Sequence, residues 1–214
     1  MIVQEFSFPK DQLHYFIGLG SLITANLEFE GIFDLIELIQ NKFENTTLQF
    51  FNRELILNYN HIFYAAYHTL KTFHLKRNIS DKLGIEFLLY LAANRQIKKA
   101  IEYFGLTKRQ INQGTIDFCI ISMNSNLQII LSEMLKKITA KEKELDLDGQ
   151  SYTKYENIKK YFSIDKNQIE TVLKSYRLTA DDKISKKNSI ENLYLALEDL
   201  ICEKMVLLSL EKST

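Results

Sequence analysis

Helix breakers and cofactor motifs are both scarce in this chain. Its 214 residues hold 7 Gly and 1 Pro, which excludes collagen-like, low-complexity and disordered classes and favours helices. The two cysteines, Cys119 and Cys202, sit in the apolar runs DFCIIS and DLICEKM. That is the setting of buried free thiols in a reducing compartment, and it argues against a disulfide framework or a thiolate metal centre. No uncharged apolar run approaches the ~18 residues of a membrane span. The opening MIVQEFSFPK has an acid at position 5 and no apolar stretch of signal-peptide length. The expectation is a soluble cytoplasmic protein with no membrane partner.

Catalytic signatures are missing too. The sequence has no G-x-x-x-x-G-K-[ST], no H-E-x-x-H and no G-x-S-x-G, and Gly18-Leu19-Gly20 stops short of a dinucleotide fingerprint. His14, His61, His68 and His74 do not fall at metal-ligand spacing with Cys or carboxylates. Neither an enzymatic activity nor a cofactor is expected.

What is present is an ordinary core-forming composition. At 25.1 kDa with 46% hydrophobic and 25% charged residues, the chain fits one large domain or two very small ones, and at this size about 70% of the unfolded surface can be buried. Net charge is zero, but residues 1–59 carry 3 basic and 8 acidic side chains, 60–115 carry 9 and 3, and 116–214 carry 15 and 16. The basic middle third suits a phosphate backbone, although charge clusters are more often solvated faces.

Periodicity predicts strands at Ile2 to Phe8, His14 to Ile17, Thr47 to Asn52 and Ile116 to Met123. It predicts helices over Gly31 to Phe43, from a cap at Asn60 to about Lys76, and from a possible cap at Asp81. Further helices are expected over Leu127 to Ile138, Tyr155 to Phe162, Ile169 to Tyr176 behind a capping box at Asp165 and Gln168, and Ser189 to about Leu210. Lys141 to Ser151 reads as a polar linker and Ala180 to Asn188 as a polar loop. The class is α+β: a helix-rich single domain whose small mixed β-sheet is covered by helices.

Two segments carry functional signal. In Glu86 to Leu106, the residues Ile97, Ala100, Ile101 and Phe104 fall on one helical face and Gly105 follows as a C-terminal cap. The helix is expected to start near Asn94, an N-cap whose first turn offers free N–H groups and a partial positive charge, reinforced by Arg95, Lys98 and Lys99. Such an end can hold a phosphate; equally, these are solvated charges on an amphipathic helix. His61, one residue past Asn60 in the same basic third, is a second-tier RNA contact, and Tyr64, Tyr67, Tyr90 and Tyr103 offer rings on which an unpaired base can stack. The final helix has one apolar stripe through Ile190, Leu193, Leu197, Leu200 or Ile201, Met205 and Leu208, and a second through Leu195, Cys202, Val206 and Leu210. A helix apolar nearly all round is either central to its own core or covered by a partner.

The run Ala92-Ala93-Asn94-Arg95-Gln96-Ile97, with Ala100 and Phe104-Gly105, resembles the signature of the kinase-binding, tRNA-recruiting subunit of the KEOPS complex, the PRPK-binding protein family. Leu48 to Asn52, the helix with His61 and Ala65-Ala66, the strand from Ile116, Lys160 to Ile164 and Glu203 to Lys212 resemble that family in the same order. An enlarged N-terminal part through about residue 45 and an extra helical stretch at about 165–187 depart from it. The resemblance implies a non-catalytic subunit for threonylcarbamoyladenosine modification of tRNA. Its direct partner would be the kinase-like subunit, with other KEOPS subunits reached indirectly, and it would grip the 3′ CCA end of tRNA. Arg95 would contact phosphate, Asn94 and Gln96 sugar or base edges, with Lys98 and Lys99 as supporting charges. Leu195, Cys202, Val206 and Leu210 would face the kinase-like subunit. The alternative is a scaffold or activator of that subunit without direct RNA contact.

Overall fold

The computed structural model describes residues 1–8, 13–25, 28–147, 149–178 and 186–210, the backbone alone at 186–188. Five strands, β1 (Ile2–Phe8), β2 (Leu13–Ile23), β3 (Thr46–Phe51), β4 (Thr115–Ser122) and β5 (Lys141–Lys143), form one sheet in the order β1-β2-β4-β3, with β5 pairing to β2. Every pairing is antiparallel. The α+β class is as expected, but the sheet is not mixed, since a strand's apolar pattern carries no record of its partner's direction.

Alternation along β4 sends Ile116, Phe118 and Ile120 to one face and Cys119 and Ile121 to the other. On the first face α1 (Phe29–Lys42) and α6 (Leu127–Lys137) pack through Ile32, Leu35, Ile39, Ile130 and Met134. The second face carries the larger core. There α2 (Tyr59–His74), α3 (Leu83–Leu91) and α4 (Ile97–Phe104) join α7 (Tyr152–Tyr161), α8 (Lys166–Ser175) and α9 (Lys186–Leu210). A short helix, α5 (Lys108–Asn112), leads into β4.

β2 runs through both glycines instead of ending before them. A Cβ on Gly20 would lie 2.5 Å from the ring of its cross-strand partner Phe118, so the glycine makes room for an aromatic residue inside a strand. β5 and α5 were not anticipated. β5 is three exposed, charged residues, a pattern indistinguishable from a linker. α5 does carry a sequence signal, the Thr107 and Gln110 capping box. The expected box at Asp165 and Gln168 is present at the start of α8. α9 begins three residues before Ser189, at Lys186, and residues 179–185 of the expected loop and of the 165–187 stretch lie outside the described residues.

Two buried carboxylates position the loops. Asp117 on β4 accepts from Arg53 Nε at 2.6 Å and from the Ser21 hydroxyl at 2.8 Å, while Arg53 Nη1 donates to Asp146 O at 3.2 Å. This fixes the chain just after β3. Glu86 on α3, fully buried, accepts from the N–H groups of Ile79 and Ser80 at 2.9 and 2.8 Å and so holds the turn between α2 and α3.

Candidate nucleic-acid and partner interfaces

The α3–α4 junction is built by a tight helix stop. Ala93 adopts φ 42°, its N–H donating to Tyr90 O, and the N–H of Asn94 reaches back to Leu89 O, both at 3.0 Å. This is a Schellman ending with alanine where glycine is usual. Asn94 is not the cap of the next helix. Its Oδ1 accepts from the N–H of Gln96 at 2.8 Å, Gln96 occupies the N-cap position without a side-chain cap bond, and α4 starts at Ile97. The local Asx turn outcompetes the cap because Asn serves either geometry equally well. α4 buries only Ala100 and Phe104, leaving Ile97 and Ile101 exposed. Gly105 does end α4, its N–H donating to Ile101 O at 2.9 Å, where a Cβ would strike that same oxygen.

Two further helix ends converge on this junction. α7 stops in another Schellman turn with Ser163 at φ 51°, and the Tyr161 hydroxyl donates to Ala92 O at 3.4 Å, tying the two stops together. The rings of Tyr103 and Tyr161 lie 5.0 Å apart, and burial pushes the Tyr161 hydroxyl up to about 12. The C-terminal part of α9 supplies Lys204, Leu207 and Leu208. Between them lies a groove of about 940 Å³ lined by Asn94, Arg95, Lys99 and Tyr103 from the α3–α4 segment and by Asn157, Lys160, Tyr161 and Lys204 from α7 and α9, with Glu54 and Leu55 also in its wall.

Of the expected RNA-facing residues, the groove gathers Asn94, Arg95 and Lys99. Gln96 and Lys98 are exposed beside it without lining it. Arg95 is half-buried, close enough to Glu86 for its charge to oppose the upward push of burial on that carboxylate. His61 is not available to a ligand: its residue is 2% exposed, Nε2 donates to Leu91 O at 2.9 Å and Nδ1 accepts from the N–H of Leu57 at 3.2 Å. Burial holds its pKa down at about 4. The reason is a shift of the cap. Asn58, not Asn60, starts α2, accepting from the His61 N–H at 3.0 Å, and position 61 turns into the core. Asn60 instead donates to Glu198 on α9 at 2.7 Å, as Asn58 does at 2.6 Å. Lys160, Tyr161 and Lys204 join the groove without being among the residues the sequence points to. They stand in segments singled out for family likeness, but only the packing of α7 and α9 sets them opposite Arg95.

α9 divides as its two stripes indicated. Leu197, Leu200, Ile201, Met205 and Leu208 are buried. Leu195 (37% exposed), Val206 (38%) and Leu210 (66%) face outward, Leu207 joins them at 50%, and Cys202 is half-buried. Among the described residues no helix is long and apolar enough to cross a membrane, and no cluster of three or more His, Cys, Asp or Glu could hold a metal ion.

The family model for kinase binding protein CGI-121 matches residues 33–209. No curated protein matches the sequence.

Proposed function

The chain belongs to the kinase binding protein CGI-121 family, and from that premise we propose that it is a non-catalytic, cytoplasmic subunit of a KEOPS-type complex, docking on the kinase-like subunit and recruiting tRNA by its 3′ CCA end. The groove carries the RNA half of this reading. It brings four cationic side chains, Arg95, Lys99, Lys160 and Lys204, around two tyrosine rings and the amides of Asn94 and Asn157. Cations neutralise phosphates, aromatic faces accept unpaired bases, and amides read base or sugar edges, which together is what a single-stranded RNA end requires. Arg95 and Lys99 serve as phosphate contacts, Asn94 and Gln96 as polar readers, and Lys98 as a nearby charge. The outward stripe of α9, centred on Leu195, Cys202, Val206 and Leu210, supplies the kinase-facing surface. The remaining subunits are reached through the kinase-like one, and the adenosine chemistry belongs to them.

Titrating the isolated protein with tRNA bearing or lacking its CCA end, across a range of salt, tests the RNA half. The intact tRNA should bind with salt-sensitive affinity and the truncated one more weakly. Arg95→Ala should lower affinity and reduce the log–log salt slope by about one unit. Equal affinity for both tRNAs, or an Arg95→Ala protein with unchanged affinity and slope, would falsify the assignment and favour a scaffold that activates the kinase-like subunit without touching RNA.

A further inference from the structure

The groove and the outward stripe of α9 meet along one edge of that helix. Lys204, Leu207 and Leu208 line the groove, while Val206 and Leu210 face outward. Residues three and four apart on a helix are surface neighbours, so Leu207 touches the groove on one flank and adjoins Leu210 on the other, with half its surface open. Resting on the function proposed above, we infer that docking of the kinase-like subunit and seating of the RNA end are coupled through this shared edge, each tightening the other. A partner covering Val206 and Leu210 extends the groove wall at Leu207 and removes water beside Lys204. A charge contact at a less hydrated wall is stronger, and the C-terminal turns of α9, which end in Leu210 among the described residues, are held in place before the RNA arrives. The gain therefore appears as positive linkage without a new contact between RNA and the kinase.

Linkage is reciprocal, so the test is a closed cycle. Isothermal titration gives four dissociation constants: tRNA to the protein alone and to its complex with the kinase-like subunit, and that subunit to the protein alone and to the tRNA-bound protein. A control titration of tRNA into the kinase-like subunit alone should show no binding; binding there would attribute the tightening to a second RNA contact and overturn coupling through the shared edge. The expectation is at least a fivefold tightening in both arms by the same factor. Leu207→Ala should bring that factor toward one, and its circular-dichroism melt shows whether the variant remains folded. Lys204→Gln, on the groove side of the same edge, gives a second reading of the same loss if Leu207→Ala does not fold. Two binary complexes whose constants do not change in the ternary one overturn the coupling and leave the proposed function standing. Mutual weakening also overturns it, placing the kinase-like subunit across the groove. Failure of the binary tRNA complex to form overturns both.

Discussion

At the scale of single residues, burial sets the interior histidines against the fold at acid pH. His61 and His68 are both held near pKa 4 by burial, against an ordinary value of 6.5. Nδ1 of His68 has no hydrogen-bond partner among the described residues, and its ring is stacked on Tyr90 at 5.6 Å. A folded pKa below the unfolded one means that the unfolded chain takes up protons first, so stability falls as pH drops from about 6.5 toward 4. For His61 the limit is ~3 kcal/mol, at ~1.4 kcal/mol per pH unit. His61→Gln keeps an acceptor and a donor but cannot titrate. Its urea-unfolding free energy should be lower than wild type at pH 7 and should lose less between pH 7 and 4.5. Parallel acid limbs for the two proteins would show that His61 protonation contributes nothing to acid lability. Glu86, whose pKa burial raises, has the opposite sign, so the comparison rests on the difference between the two proteins.

Helix ends are the elements in which this chain departs most from common usage. Among the described residues, α2, α3, α6, α7 and α8 all end in a non-glycine residue at positive φ: Lys76, Ala93, Thr139, Ser163 and Arg177. In each, the next N–H closes on the carbonyl five residues back. With 7 glycines in the sequence, the left-handed cap is made by residues with a Cβ, at a cost of roughly 1–2 kcal/mol apiece. Thr139, β-branched and exposed at φ 47°, is the most strained of them. Thr139→Gly should stabilise by ~1 kcal/mol net of the extra freedom it gives the unfolded chain, raising Tm by about 2–4 °C. A lower Tm in differential scanning calorimetry would mean that Thr139 makes a compensating contact. The glycine deficit also explains which elements were legible. Helices with an apolar face or a capping box, such as α1 and α8, stood out, and so did the buried strand β4. The stop at Ala92-Ala93-Asn94 did not, because a left-handed alanine leaves no mark in composition; the helix start was consequently set at Asn94 instead of Ile97. Arg95 and Lys99 were legible as charges, whereas their partners across the groove depend on how α7 and α9 pack.

For the whole molecule, the decisive question is what covers α9 on its outer side. Val206 is 38% exposed, so Val206→Glu leaves the carboxylate in water in the isolated protein and costs little there. Once covered by a partner, the same charge is desolvated without a counter-ion, typically at several kcal/mol. The variant should melt cooperatively within a few degrees of wild type and fail to capture the kinase-like subunit in a pull-down. A melted variant would assign Val206 to the core, and a folded one that still binds would take it out of the interface. The groove has a related dependence. Its walls are drawn from chain positions as distant as Glu54 and Leu208, so they come together only when the segments between them are folded. Fraying of the last turns of α9 would remove Lys204, Leu207 and Val206 together, and with them one part of the groove wall and the adjoining outward stripe. On the proposed function, a single opening equilibrium at that helix end would weaken RNA binding and kinase docking together.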